Sequence, residues 1–414
     1  MKITILGGGL SGMSAAYKLY SEHEVTIIEK EKILGGLASS FEKNKKFIPR
    51  YYHHIFHNDK ITIDFMKKFG ITLKFKKIKM AILADKKLYN FTDPLSLLKF
   101  DYLSFSARLR YGIFGAYVFF LMNPEKIKDT VNAKEWLIKY AGKEVSQKLF
   151  HELYAVNKFN IPLEEISAKQ FANRLKAKEA LGKFGYPDCG LQEFINRFEN
   201  YLTEKGVKII KNKEIKKIKK GLVELEGEKI ESDIIINTLP PPILLKITDN
   251  LPESYRKKLE KIDYCPAVCI TYSMKNFLSP HYWLNIIKEK CHIIIQHSIL
   301  FDNYENKIGW VLRYGGSIED FNLTDEQIKE KYLSIVKKYF PKAEFIWSTV
   351  TKDRYAEPIY NKDYINNKPD YRTPLNWLYN AGVSVTFPKV RTMNTALESG
   401  LKVVEIIKED LIKK

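Results

Sequence analysis

Ile3-Thr4-Ile5-Leu6 runs into Gly7-Gly8-Gly9-Leu10-Ser11-Gly12, and "MSAAYKLY" follows. A short apolar run, a glycine turn and a stretch with Ala15, Ala16 and Leu19 predict a buried strand, a tight turn and a helix. That order restricts the fold class more than any other feature of the chain. Gly7, Gly9 and Gly12 stand as GxGxxG, and each has its own physical task. Gly7 permits the turn, Gly9 lets backbone approach a pyrophosphate, and Gly12 lets helix and strand pack closely. The helix start at Leu10 and Ser11 offers unpaired N–H groups and a positive dipole end to phosphates. A second strand, "EVTIIE", ends at Glu29, 22 residues after Gly7. A carboxylate there accepts hydrogen bonds from ribose hydroxyls and repels a 2′-phosphate. The plainer reading of Glu29 is a solvated strand end. Together these residues predict an α/β chain that opens with a Rossmann-like, dinucleotide-binding domain.

The 414 residues leave room for two or three domains of about 150 residues each. Hydrophobic residues at 45% and charged residues at 28% argue against disorder, collagen-like repeats or a coiled coil. The net charge is +19, but 58 of the 68 basic residues are Lys, spread along the whole chain. A coding bias toward Lys suffices to explain it. Attraction to an anionic substrate or membrane surface is the second reading. No nucleic-acid recognition motif accompanies the charge.

The four cysteines, Cys189, Cys265, Cys269 and Cys291, form no CxxC and have no His at zinc spacing. They read as reduced thiols of a cytoplasmic protein, with no metal site. Met1-Lys2 leads straight into an apolar strand, so no secretory leader is expected. "YGIFGAYVFFLM", Tyr111 to Met122, is the longest apolar stretch. Twelve residues cannot cross a hydrocarbon core of about 30 Å as one helix. The stretch predicts a buried helix, or one that lies on a membrane or lines an apolar channel, so peripheral membrane contact stays open.

Five residues separate Glu29 from the doublet Gly35-Gly36, and Leu37 follows. A nicotinamide-binding domain does not need it. The pattern "GGGLSG…EKEKILGGLASSF" resembles the opening of the flavin-containing amine oxidase superfamily, which includes protoporphyrinogen oxidases, carotenoid desaturases and monoamine oxidases. The resemblance implies FAD, with Gly35 and Gly36 packed near the pyrophosphate and flavin. Many members have Arg two residues after the doublet begins. This chain has Leu37 there, so backbone amides, Ser hydroxyls or Lys30 must neutralise phosphate.

The resemblance covers nearly the whole chain and implies a discontinuous FAD-binding domain with a second, mixed substrate domain. Residues 1–75, 186–245 and 373–414 are assigned to the first. Residues 76–185 form a helical part of the second and residues 246–372 a sheet part. "GVKII", "EIKKI", the hairpin "GLVELEGEKI" and the buried strand "DIIINT" supply the middle piece. Ile215 matches the family position that clasps adenine through its backbone, and reads equally well as core. "WLYNAGVSVTFPKVRTMNTALESGLKVVEII" resembles the C-terminal FAD signature. There Gly382 lies near the ribityl phosphate, and the Met393 and Asn394 amides point a positive helix end at flavin O2. Many relatives have an acidic residue after that glycine. Val383 stands here, and Arg391 offers charge instead; a surface salt bridge is its alternative.

"HHIFHND" follows the doublet and also resembles the flavin-adjacent segment of UDP-galactopyranose mutase. His54 is therefore the catalytic candidate, against the flavin edge or a substrate, with a satisfied structural histidine as its alternative. If the segment is a strand, His54 and His57 point apart; if it is a helix, they share a face. Tyr282, Trp283, Arg313, Tyr314 and Tyr355 are candidate pocket residues for an apolar or sugar-linked small molecule. The resemblance implies an FAD-dependent oxidoreductase that takes a hydride from a C–N or C–C unit onto flavin N5. The alternative is a flavin-dependent, non-redox sugar-nucleotide mutase. Oligomeric state is not encoded in any of these features.

Overall fold

A computed structural model describes residues 1–177 and 183–413. Five strands form a parallel sheet: β1 (Lys2–Leu6), β2 (Glu24–Ile28), β3 (Lys208–Ile210), β4 (Ile234–Asn237) and β5 (Leu378–Asn380). Their spatial order is β5-β4-β1-β2-β3, the doubly wound order of dinucleotide-binding sheets. Order reverses at β1, so the crevice between β1 and β4 is where such a sheet takes its ligand. Ile3, Ile5, Leu6, Ile235 and Ile236 are fully buried, as expected of strands covered on both faces.

The helix Leu10–Leu19 packs on the last helix, Met393–Ile412. Ser11 Oγ donates to the Ala396 carbonyl at 2.9 Å, and Ser14 Oγ to that of Leu397 at 2.9 Å. Gly400 makes this approach possible: a Cβ there would collide with the Ser11 carbonyl and the Ser14 hydroxyl. Thus the first and last helices close on each other beside the parallel sheet.

Seven strands form the second sheet, in the order Phe345–Pro358, Tyr264–Met274, Lys307–Tyr314, Ile293–Ile295, Trp283–Ile286, Met80–Ala84 and Lys87–Asn90. The stretches "AVCITYSM", "CHIIIQHS", "IGWVLRYG" and "EFIWSTVTKDRYA" all contribute to it. Residues 76–185, expected to be helix-rich, open with its last two strands. Met80–Ala84 runs parallel to Trp283–Ile286, a pairing across some 200 residues that local pattern does not reveal. The helix Asp325–Tyr339 covers one face through Ile328, Tyr332 and Val336. Thr324 caps it, in a capping box with Gln327.

The helices Phe105–Ala116, Ala133–Tyr140, Ser146–Phe159 and Ala168–Lys176 gather around Phe114, Trp136, Leu149, Phe150 and Phe171. Residues 178–182, also assigned to the helical part, lie outside the described residues. The chain returns through Lys183–Pro187, which pairs with Leu73–Lys77. Gly190, at φ 90°, then opens the helix Leu191–Glu204. Among the described residues no helix is long and apolar enough to cross a membrane.

Candidate active site

Gly7 follows β1 at φ 101°, a backbone state that favours glycine. Its amide donates to the Ile28 carbonyl at 2.9 Å, which ties the turn to β2. Gly9 caps the first helix with no side-chain bond, and that helix has no acidic residue in its first turn. The first-turn amides at Leu10 and Ser11 are therefore left for a ligand. Gly35 N donates to Gly8 O at 2.9 Å, so the doublet is drawn alongside the glycine turn. Gly35 and Gly36 both have positive φ, 113° and 56°. A Cβ on Gly9 would meet only Gly36 Cα, at 3.9 Å. Two glycine turns thus face each other across a side-chain-free groove at a helix N-terminus. That donor set fits a pyrophosphate. Leu37 continues the doublet's turn and packs its side chain on the main core.

Glu29 is buried, and both its oxygens face backbone: Oε2 accepts from Gly8 N at 2.8 Å, Oε1 from Glu31 N at 3.0 Å. It is therefore not a solvated strand end. A carboxylate accepts about four hydrogen bonds, so ribose hydroxyls can still be taken. Lys30 next to it is exposed. Ile215 begins the strand Ile215–Lys219 beside a bulge and packs against a cluster holding Leu6 and Ile28.

Gly382, at φ 95°, turns the chain after β5, and its amide donates to Ser399 Oγ at 2.9 Å. Ser399 Oγ also lies 3.1 Å from Ser11 Oγ. The Ser11 hydroxyl is thus spent on the last helix, leaving its amide as the group that faces a ligand. Thr392 caps the last helix through a box with Thr395. The Met393 and Asn394 amides ahead of Thr395 point out of the helix end. Asn394 Oδ1 holds Thr62 N at 3.2 Å, which fixes that end against the helix Lys60–Lys68.

The histidine segment is neither strand nor helix. It is pinned at Ile55, whose amide and carbonyl both pair with Gly185. His54 stacks on Phe184, ring centroids 4.0 Å apart, whereas exposed His57 stacks on Phe75 at 4.1 Å. Only His54 joins the inner aromatic group. Its neighbours are Tyr52, stacked at 6.0 Å, and Trp283, edge-on at 5.9 Å. Its buried Nδ1 has no hydrogen-bond partner among the described residues. Burial, then the adjacent His53, pushes His54 down to about 3; burial and Arg391 push His53 down to about 4. Both imidazoles are neutral near pH 7, so His54 is no proton switch in that range.

Sequence reasoning missed a buried charge cluster. Glu357, 1% accessible, receives Arg174, has Lys158 Nζ at 3.3 Å and Arg391 Nε at 3.9 Å. The four side chains come from the floor sheet, two helices of the helical module and the lead into the last helix. Burial alone would raise the Glu357 carboxyl; the charges of Arg174, Lys158 and Arg391 outweigh it and hold it far below the usual range. Burial opposes the charge on Arg391, yet Glu357, Tyr314 and Tyr52 keep it firmly protonated. Lys158 and Arg391 retain 13% and 22% of their side-chain accessibility, so ligands can reach them. Tyr314 stands beside this cluster, with Lys158 Nζ 5.2 Å from its ring centre and its hydroxyl 3.4 Å from that of Tyr52. Arg391 is thus no surface residue. No short-range pattern links positions 158, 174, 357 and 391, so only the fold could bring them together.

Two pocket candidates need correction or restriction. Arg313 points away from the site and bonds Asp320 at 3.0 Å, because alternation along the strand sends 313 and 314 to opposite faces. Tyr282 is fully buried and packs on Phe184, so it backs the wall and does not line it. Trp283 and Tyr314 are at the inner aromatic group, and Tyr355 stacks edge-on with Tyr264.

Two other buried histidines set an acid limit on the fold. Burial pushes His292 and His297 each down to about 3. In the unfolded chain they titrate near 6.5, so below that pH the unfolded state binds more protons. Stability should be flat above pH 6.5 and fall toward pH 3. Each costs about 1.4 kcal/mol by pH 5.5, and His53 and His54 add to the same fall. Urea midpoints at pH 7.5, 6.5 and 5.5 measure this directly, and a flat series would contradict it.

The family model for flavin-containing amine oxidoreductases matches residues 10–408. Among curated proteins none matches the chain in sequence. Solved structures share its fold throughout. An oxidoreductase from Methanosarcina mazei superposes with a TM-score of 0.76 at 17% identity, covering 98% of this chain and 100% of that one. Putrescine oxidase bound to putrescine gives 0.78 at 16%, covering all of both chains. Cyclohexylamine oxidase from Brevibacterium oxydans IH-35A gives 0.74 at 14%, covering 99% of each. The family match is to redox enzymes, and nothing in it favours the sugar-nucleotide mutase alternative. With a groove that fits a pyrophosphate and a family match over nearly its whole length, the chain belongs to the flavin-containing amine oxidoreductases and is an FAD-dependent oxidoreductase acting on a small molecule.

Proposed function

We propose that the enzyme takes a hydride from a C–N or C–C unit of an apolar or sugar-linked small molecule, with Arg391 and the start of the last helix stabilising the charge gained by the cofactor. Residues 1–75, 186–245 and 373–414 hold FAD; residues 76–185 and 246–372 hold the substrate. Bound FAD supplies the hydride acceptor, and its reduced form carries negative charge near N1 and O2. The chain's own groups bind, orient and exclude water. Gly7, Gly9 and Gly12 with the Leu10 and Ser11 amides hold the pyrophosphate, closed over by Gly35, Gly36 and Leu37. Lys30 adds charge from the rim. Glu29 takes the adenosine ribose, Ile215 the adenine and Gly382 the ribityl phosphate region. His54, neutral, borders the flavin edge or the substrate.

The observation that carries this reading is the state of Arg391. Its guanidinium stands directly ahead of the last helix, its buried Nε makes no hydrogen bond among the described residues, and its nearest carboxylate is 3.9 Å away. A permanently charged donor held so, beside the Met393 and Asn394 amides, suits an anion that arrives with the ligand. Losing a hydrogen bond to a charged group costs about 1.5–3 kcal/mol. For a two-electron couple that is roughly 30–65 mV. Arg391→Gln should therefore lower the flavin's reduction potential by that amount, and Arg391→Lys should restore part of it. Anaerobic mixing with panels of amines, isoprenoid polyenes, porphyrinogens and sugar nucleotides should bleach the flavin band with one class. An unchanged potential in Arg391→Gln, or no bleaching by any class, would count against the proposal.

A further inference from the structure

The helix Phe105–Ala116 continues through a wider turn, Tyr117–Leu121, in which Met122 N donates to Tyr117 O. Its inner face carries Phe114, Val118 and Met122 into the helical module, where Phe114 meets Trp136 edge-on at 5.4 Å. Its outer face is also apolar. Phe105, Leu109, Ile113, Phe120 and Leu121, with Leu95 from the preceding turn, are between 48% and 82% exposed. At about 100° per residue, positions 105, 109, 113 and 120 fall within an arc of roughly 80°. Exposed large apolar residues scattered singly need no explanation; four within one arc do.

The patch is held rigidly. Arg110 donates to the Ile138 and Lys139 carbonyls at 3.1 and 2.9 Å. Lys176 Nζ bonds the Phe119 and Met122 carbonyls at 3.4 and 2.8 Å, which ties the backbone of the tip to the helix Ala168–Lys176. The flanks are basic. Arg108 and Arg110 lie on either side of the apolar arc, with Lys99 before the helix and Lys126 after it. From residue 94 to 126 the acidic side chains are Asp101, already bonded to Lys87 and Tyr89, and Glu125; Glu144 is spent on Ser104 and Lys148 at the helix start.

We propose that this face docks on a lipid bilayer with anionic headgroups. An in-plane helix sinks its apolar face about 5–10 Å into the interface while basic flanks meet the lipid phosphates. A second copy is a poorer occupant: two such faces brought together would set basic flank against basic flank in a chain of net charge +19. The inference is independent of which substrate is oxidised.

The test is co-sedimentation of the FAD-loaded protein with phosphatidylcholine–phosphatidylserine vesicles, with phosphatidylcholine vesicles as control. Wild type should pellet with the anionic vesicles, less so as salt rises. The double variant Phe120→Ser, Leu121→Ser should bind about tenfold more weakly or worse, while it keeps its flavin spectrum. If that variant loses FAD, Ile113→Ser is read against the same criterion. Three results would overturn the proposal. Wild type could stay in the supernatant with anionic vesicles, or the substitutions could leave vesicle binding unchanged. The third is a solution dimer that the substitutions dissociate, with no vesicle binding by either form, which would make a second copy the occupant.

Discussion

Gly9→Val is expected to yield a folded protein that purifies colourless. Gly9 lies at φ −71° and ψ 174°, ordinary backbone for any residue. A Cβ there touches nothing closer than Gly36 Cα at 3.9 Å, so the fold without cofactor loses little. Valine's methyl groups would fill the groove between the two glycine turns, over the Leu10 and Ser11 amides. FAD affinity should drop by at least about a hundredfold, or roughly 2.7 kcal/mol. The comparison must be made between cofactor-free forms, because bound FAD itself raises the melting temperature. Titrating FAD into both apoproteins reads the affinity, and thermal melts read the fold. Gly12→Val makes the contrast: its Cβ would strike the Gly7 carbonyl, so it should damage the turn itself. Unchanged FAD affinity in Gly9→Val would place the pyrophosphate elsewhere.

Glu357→Gln should be the most destabilising isosteric change in the site. The amide keeps the volume but removes the carboxylate that faces Arg174, Lys158 and Arg391. Breaking a buried ion pair by removing one partner costs about 3–5 kcal/mol, a large share of the 5–15 kcal/mol that holds a typical domain. Because Glu357 stays ionised far into acid, the loss should appear equally at pH 6 and pH 8. Urea unfolding at both pH values tests this. The cofactor gives a second readout with the opposite sign to Arg391→Gln. With the carboxylate gone the site is more positive, so the flavin's reduction potential should rise. A wild-type urea midpoint would show that the cations do not depend on Glu357.

Local pattern was enough to read the elements that open the chain. Strand, glycine turn and helix between Ile3 and Leu19 follow from hydrophobic period and glycine placement, and the Gly35-Gly36 doublet needs positive φ at both positions. The floor strands were legible for the same reason, as apolar runs rich in Ile and Val. Three features were not. The pairing of Met80–Ala84 with Trp283–Ile286 is long-range, and nothing within either run specifies its partner. Arg313 was misplaced because strand register decides which face a residue takes, and a shift of one residue reverses it. The Glu357 cluster draws on four separated segments, each with a single unremarkable charge.

The first helix and the last meet at Ser11 and Gly400, and β5 joins the parallel sheet only with residues 378–380. During synthesis the glycine turn therefore emerges long before the elements that complete its binding unit. At about 5–20 residues per second, nearly 400 residues must follow, a wait of roughly 20–75 s. Through that interval the first helix lacks its partner, β4 once made lacks its neighbour β5, and FAD has no finished groove to enter. The nascent chain is thus open to aggregation until residues 378–412 have emerged and packed, and cofactor uptake must wait for them. A chain that stopped short of the last helix would be a substrate for proteases and not a weaker enzyme.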